Sequence, residues 1–281
     1  MLNTLLLAAL AAAPAVMAGP VTPRALPVPI IGGGLGAESD VHPPKALPAT
    51  VRFNEGKFQP AMDFDTDSCY NVPAIDADGN IVKGLSHTSG LTAGCRDASD
   101  LDNNNVYVRR RCNNGWCAYL YDYYFEKDVA VPFGGLSTGH RHDWEHIVVW
   151  VRGDHTPEYV AISQHGNYEI KKWSDIRNDG GTHPKIVYHK DGASTHCFRF
   201  ANKADDKLEN HKGVWFYGAL VDYYDGWSVE LRNKLVNHDF GSATIAFKDS
   251  QFMPQLDKAK PKDERLKAFK TGRDGDVDDK L

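Results

Sequence analysis

The run Tyr119-Leu120-Tyr121-Asp122-Tyr123-Tyr124-Phe125 is the strongest constraint on how this chain can fold. Aromatic side chains lose rotamer freedom in a helix and suit a pleated surface, so the run is extended. Its period of two puts Tyr119, Tyr121, Tyr123 and Phe125 on one face, which needs a core, and Leu120, Asp122 and Tyr124 on the other. Residues 106–108 and about 143–151 read as strands beside it. Residues 158–163, 185–189 and 197–201 read as further short strands between Gly, Asn and Asp turns. Residues 129–138, with Pro132, Gly134 and Gly135, read as a loop joining two of these strands. The one late helix with an apolar stripe lies at about 228–237, with Gly241 near its stop. Many short strands with few helices predict a mainly β chain, a β-sandwich with the helices at its periphery.

The ends differ from this middle. Residues 1–18 carry no charged side chain, hold the apolar run Leu5-Leu6-Leu7-Ala8-Ala9-Leu10 and finish on small residues. This is a signal-peptide pattern, shorter than the ~20 residues that span a bilayer, so export to the extracellular space is expected. Residues 19–48, with Pro20, Pro23, Pro27, Pro29, Gly32-Gly33-Gly34 and Pro43-Pro44, are expected to be a flexible propeptide or linker. One folded domain is expected over 49–257, and a polar, disordered tail over 258–281. No other apolar run approaches the leader in length, so no transmembrane segment is expected. The net charge of −5 argues against nucleic acid as a partner.

Five cysteines in an exported chain favour disulfides. Cys69 and Cys95 flank a loop rich in Asp, Gly and Pro, and Cys112 and Cys117 flank the turn Asn113-Asn114-Gly115-Trp116. Local spacing pairs each two and leaves Cys197 single, as a buried small hydrophobe. A zinc site of four cysteines fits poorly, because the gap from Cys69 to Cys95 is long.

The stretch Gly139-His140-Arg141-His142-Asp143-Trp144-Glu145-His146 concentrates charge. If Asp143 opens a strand, Asp143 and Glu145 point one way and His142, Trp144 and His146 the other. His140 then reaches the carboxylates from the loop, and Asp128 from the facing strand end. Such close carboxylates raise each other's pKa, and a cation relieves the repulsion. Oxygen-dominated donors favour Mg²⁺, Ca²⁺ or Mn²⁺, while the imidazole keeps Zn²⁺ open. The ordinary alternative is a salt-bridge network around Arg141 at a strand entry. The His-x-His-x-Asp-His register of metallo-β-lactamases fails here, and His-Glu-x-x-His is absent. No nucleophile and base stand out, so a non-enzymatic role is expected, with a metal-dependent hydrolase as the catalytic alternative.

The heptapeptide Gly139-His140-Arg141-His142-Asp143-Trp144-Glu145 resembles that of the necrosis- and ethylene-inducing-like proteins (NLPs). These are secreted cytolysins of plant-associated fungi, oomycetes and bacteria. The resemblance extends through Gly115-Trp116-Cys117-Ala118-Tyr119, Tyr124-Phe125-Glu126-Lys127-Asp128, Gln164-His165-Gly166-Asn167-Tyr168 and Phe240-Gly241-Ser242-Ala243. It departs at Glu126, where the commoner pattern has Pro, and in a longer segment from 129 to 139. The resemblance implies an actinoporin-like β-sandwich and a divalent cation held by Asp128, His140, Asp143 and Glu145. It also implies binding to glycosylinositol phosphorylceramide headgroups of plant plasma membranes, with His165 near the sugar crevice. Plant immune receptors are implied as further partners. Some NLPs are non-toxic, so a binding or developmental role is the alternative to membrane damage. Trp173 and Trp227 are candidates for membrane contact, against a core reading for each.

Overall fold

The computed structural model describes residues 43–50, 53–133, 136–153 and 155–273. The leader and the Pro/Gly-rich stretch up to 42 lie outside these residues, as does the acidic end 274–281. The strands are β1 (Ala61–Phe64), β2 (Asn105–Asn113), β3 (Trp116–Phe133), β4 (Leu136–Arg152), β5 (Thr156–Gln164) and β6 (Asn167–Lys172). They continue with β7 (Asn178–Asp179), β8 (His183–Lys190), β9 (His196–Phe200) and β10 (Ala219–Asp222). The helices are α1 (Phe53–Lys57), α2 (Val229–Val236) and α3 (Asp249–Ala259). Six strands form one sheet in the order β10-β2-β3-β4-β5-β6, and β1, β8 and β7 form a smaller one with β9 paired to β8. The chain is mainly β, in two sheets, as expected.

Local chemistry sets the register at the centre. Asn114 and Gly115 have φ of 51° and 75°, both positive as a two-residue type I′ hairpin turn requires, and Asn-Gly is the pair that tolerates this best. The turn places Cys112 directly opposite Cys117, and the disulfide closes there. Cys69 bonds Cys95, and Cys197 is the free, buried thiol. All three match the expectation from spacing.

Both faces of the large sheet are covered. Tyr119, Tyr121, Tyr123 and Phe125 pack against Phe64, Ile186, Tyr188 and Phe198 of the small sheet. On the other face Leu120, Tyr124, Trp144, Val148 and Trp150 pack against Leu235, Phe252, Leu256, Leu266 and Phe269. The peripheral helices thus cover a second core on the outer face of the large sheet. Asp122, buried on that face, accepts hydrogen bonds from the amides of Ala246 (2.7 Å) and Phe247 (3.3 Å), which anchors the covering segment. Trp227 belongs to this core: it stacks on Tyr107 at 5.3 Å and donates to the Tyr223 carbonyl.

Three boundaries differ from the sequence reading. Residues 129–133 and 136–138 belong to the β3–β4 ladder, with Val129 opposite Gly139 and Val131 opposite Thr138, so β4 begins well before Asp143. Pro132 is accommodated because it lies at the extreme end of the ladder, where few pairs remain. The end of the expected linker is docked: Leu47 is buried and its amide donates to Asn105, while Asn103 receives the Ala46 amide. The start of the expected tail is docked too. Leu266 and Phe269 are buried, Trp116 donates to the Arg265 carbonyl, and Asn113 pairs with the backbone of Lys270. A polar segment is held here by two apolar anchors and its main chain, which composition does not register.

Phe269→Ala should cost about 3–5 kcal/mol, because it opens a cavity against Trp150. Chemical denaturation checks this, and a change under 1 kcal/mol would mean the tail does not contribute to the core. Opening the Cys69–Cys95 bond, which spans 26 residues, should cost about 3–4 kcal/mol by chain entropy. The Cys112–Cys117 bond, spanning 5, should cost about 2, and melting of the two double-Ala variants should rank them so.

Candidate functional site

The charged stretch lies on β4 against the end of β3. Asp128 is paired with His140 and Phe125 with Asp143, which brings the ladder to the heart of the motif. Strict alternation would send His140 and Asp143 to opposite faces, since they are three residues apart. His142 prevents this: its φ is +64°, and the paired positions step from Phe125–Asp143 to Lys127–Arg141 without a Glu126–His142 pair. One left-handed residue thus returns His140 to the side of Asp143. Gly139 allows the close approach beside it. With φ +145°, any Cβ there would collide with the Asp128 carbonyl oxygen.

The result is a compact cluster. One ligand atom each from Asp128, His140 and Asp143 lies within 4.8 Å of the others. The carboxylate of Asp128 accepts the His196 amide at 3.0 and 2.9 Å and pairs with His196 Nδ1 at 2.7 Å. Asp143 accepts the Tyr188 hydroxyl at 3.0 Å, and Tyr188 is itself stacked on Phe125 at 3.8 Å. His140 Nδ1 is 2.7 Å from the carbonyl of His142. A carbonyl only accepts, so the proton sits on Nδ1 and Nε2 is the atom left to ligate. Glu145 stands one step back, accepting from Ser163 Oγ, whose oxygen accepts the His146 amide at 2.8 Å. His140 comes from the strand itself, not from a loop.

Asp128, Asp143 and Glu145 are all buried. Burial, and then the Asp128 charge, push the Asp143 carboxyl up to about 7. Burial, and then Asp143, push Glu145 well above the usual carboxylate range. Negative charge is thus gathered in excess of what the protein neutralises, and the donors are oxygens plus one imidazole. That set fits a hard divalent cation. Arg141 donates to the carbonyls of Lys83 and Gly84, toward the neighbouring loop.

The remaining histidines sort by partner. His142 is buried on Phe240 and bonded to the Tyr124 hydroxyl at 2.7 Å, and burial lowers it to about 4. His146 is lowered to about 4 by burial as well, and packs on Tyr168. Both are neutral packing groups. His165, on the β5–β6 turn, joins Asp128, His140, Asp143, Glu145 and Lys258 in lining one cavity of about 430 Å³. His196 was not singled out in the sequence. Its partner is 68 residues away in sequence, on β3, and the two meet where β9 lies against the end of that strand.

Known proteins share this arrangement of elements. The family described as Necrosis inducing protein (NPP1) matches residues 53–259. NLP effector protein 10 of Phytophthora capsici is 32% identical over 217 residues, covering 76% of this chain and 84% of that protein. The solved structure of NLPPya in complex with mannosamine superposes with a TM-score of 0.63 at 28% identity, covering 77% of this chain and 95% of that one. The structure of non-toxic HaNLP3 gives 0.64 at 27% identity, covering 79% and 98%. The fold, the two sheets and the matched residues agree, and the chain belongs to the necrosis-inducing NPP1 family, the NLPs.

Proposed function

We propose that this protein is a secreted, non-enzymatic cytolysin that grips the sugar headgroups of plant plasma-membrane sphingolipids, glycosylinositol phosphorylceramides, through a divalent cation. The carrying observation is the Asp128–His140–Asp143 cluster at the wall of a cavity of about 430 Å³. Asp128, His140 and Asp143 would hold the cation, with Glu145 beside them. Mg²⁺ or Ca²⁺ suits this donor set, with Mn²⁺ as the alternative. When bound, the ion supplies a positive centre for hydroxyl oxygens of a sugar.

The chain's own groups do the rest. His196, Tyr188 and Ser163 hold the carboxylates in place. Hydroxyls and imidazoles around the cavity offer hydrogen bonds to further sugar oxygens, and His165 stands at its rim. The mannosamine complex of NLPPya supports a sugar ligand for this fold. Two disulfides suit export to an oxidising compartment. Among the described residues no helix is long and apolar enough to cross a membrane, so attachment would start at the headgroups. Because a structure described as non-toxic is equally similar, a headgroup binder without membrane damage is the second reading.

Vesicles carrying the plant sphingolipid should leak on addition of the full chain, and chelator should abolish the leakage. Asp143→Ala should behave like chelation. Leakage indifferent to both lipid and chelator would sink the proposal, whereas chelator-sensitive binding without leakage or leaf necrosis would select the second reading.

Cation affinity should rise with pH through about 7, because Asp143 must shed its proton first. In cation-free protein the folded state holds this proton between the unfolded value near ~4 and about 7. Stability should therefore fall as pH rises across that window. Calorimetric titration at pH 5.5 and 8 reads the first effect, and denaturation in chelator the second. Gly139→Ala should lower cation affinity in the same titration while near-UV circular dichroism stays native. Unchanged affinity would mean that the close approach to Asp128 is not needed.

A further inference from the structure

A second group of metal-type ligands sits where two turns meet. One comes from the β5–β6 turn, carrying His165 with φ +48°, and the other from the β8–β9 hairpin, carrying Asp191 and Cys197. One ligand atom each from His165, Asp191 and Cys197 lies within 4.8 Å of the others. His165 Nε2 is 3.1 Å from Asp191 Oδ2, and Cys197 Sγ is 3.6 Å from His189 Nε2. Thr195 Oγ1 stands 3.4 Å from the other nitrogen of His165. The headgroup reading uses none of Asp191, Cys197 and His189.

The spacing of His165 and Asp191 suits two corners of a tetrahedral site. Zn–S of about 2.3 Å and Zn–N or Zn–O of about 2.0–2.1 Å place sulfur and nitrogen about 3.5–3.6 Å apart, and nitrogen and oxygen about 3.3 Å apart. The 3.1 Å between His165 Nε2 and Asp191 Oδ2 lies near the nitrogen–oxygen edge, and the three donor atoms all fall within 4.8 Å of one another. Donor chemistry points the same way. Thiolate with imidazole and carboxylate selects a borderline ion such as Zn²⁺, whereas the oxygen-rich cluster of Asp128 and Asp143 selects a harder one. Burial lowers the pKa of the His189 imidazole, whose Nε2 stands beside the sulfur. Burial first, then the neighbouring Glu145 and Asp191 side chains, raise the Cys197 thiol to about 12. Asp191 adds a carboxylate oxygen to the thiol and imidazole donors.

We propose that His165, Asp191 and Cys197 bind a Zn²⁺-type ion, with His189 supporting the sulfur. On binding, the S–H bond breaks, the sulfur keeps the electron pair and bonds the metal, and the proton leaves to solvent. The ion ties the β5–β6 turn to the β8–β9 hairpin at the rim of the cavity and fixes the direction of His165. It also shields the chain's free thiol from oxidation. None of this depends on the hard-cation cluster.

Co²⁺ is the probe, added to the full, disulfide-intact chain after chelator treatment and desalting. The expected result is one equivalent giving a thiolate-to-cobalt charge-transfer band in the near ultraviolet together with tetrahedral visible bands, displaced by Zn²⁺. Cys197 is the free cysteine, so the charge-transfer band reports on it alone. Cys197→Ser should abolish that band, and His165→Ala should weaken Zn²⁺ binding by more than about 100-fold. His189→Ala should weaken it by about 10–100-fold, as an outer partner does. Asp128→Asn, which breaks the hard-cation cluster, should keep the band, so the two sites fail separately. Absence of the band from well-folded protein overturns the proposal and leaves an ordinary His165–Asp191 ion pair beside a packing cysteine. Zn²⁺ affinity unchanged in Cys197→Ser overturns it equally.

Discussion

The β3–β4 ladder is the interaction on which the rest of the molecule depends. It runs from Trp116 opposite Arg152 to Phe133 opposite Leu136, the longest pairing in either sheet. Its two faces nucleate the two cores, one closed by the small sheet and the other by α2, α3 and the segment through Phe269. Its far end carries the carboxylate cluster. Along such a strand the backbone donors face its two neighbours alternately, and β2 and β5 flank this pair, which lets its middle pass through a buried environment.

The same ladder explains how charge can be concentrated in so apolar a setting. Asp128, Asp143 and Glu145 are buried, and each is met by a donor from another strand: His196 of β9, Tyr188 of β8 and Ser163 of β5. These bonds fix direction without cancelling the charge, since the carboxyls of Asp143 and Glu145 remain raised. A buried charge cluster left like this costs stability, and fits a site completed by a cation. Two irregular residues make the geometry. His142 adopts a conformation that alternation forbids, and Gly139 permits a contact that no side chain would.

Much of the fold was legible from pattern. The alternation of Tyr119–Phe125, the apolar run after Glu145 and the Asn114-Gly115 turn each specify local backbone, and the strands read at 106–108, 119–125, 143–151, 158–163, 185–189 and 197–201 fall on observed strands, as the helix read at 228–237 falls on α2. The miss at α3 has a local cause, because Pro254 lies within the helix and reads as a breaker. The short strands β1 and β10 were missed because each owes its state to a partner strand, at Lys185–Tyr188 and Asn105–Val108 respectively. The polar segment after Ala259 was misread because its attachment runs through main-chain groups and two side chains.

The site was half legible. By itself the sequence determined that Asp143 and Glu145 share a face, that His142 and His146 leave it, and that four cysteines pair locally, since these follow from a two-residue period and short spacing. Only the tertiary structure decided that His140 reaches Asp143 from the strand through the left-handed His142, that His196 clamps Asp128, and that His165, Asp191 and Cys197 meet. The physical reason is the same in each case. Local pattern encodes which way a side chain leaves its own strand, while convergence depends on backbone exceptions and on strands brought together from 26 to 68 residues away.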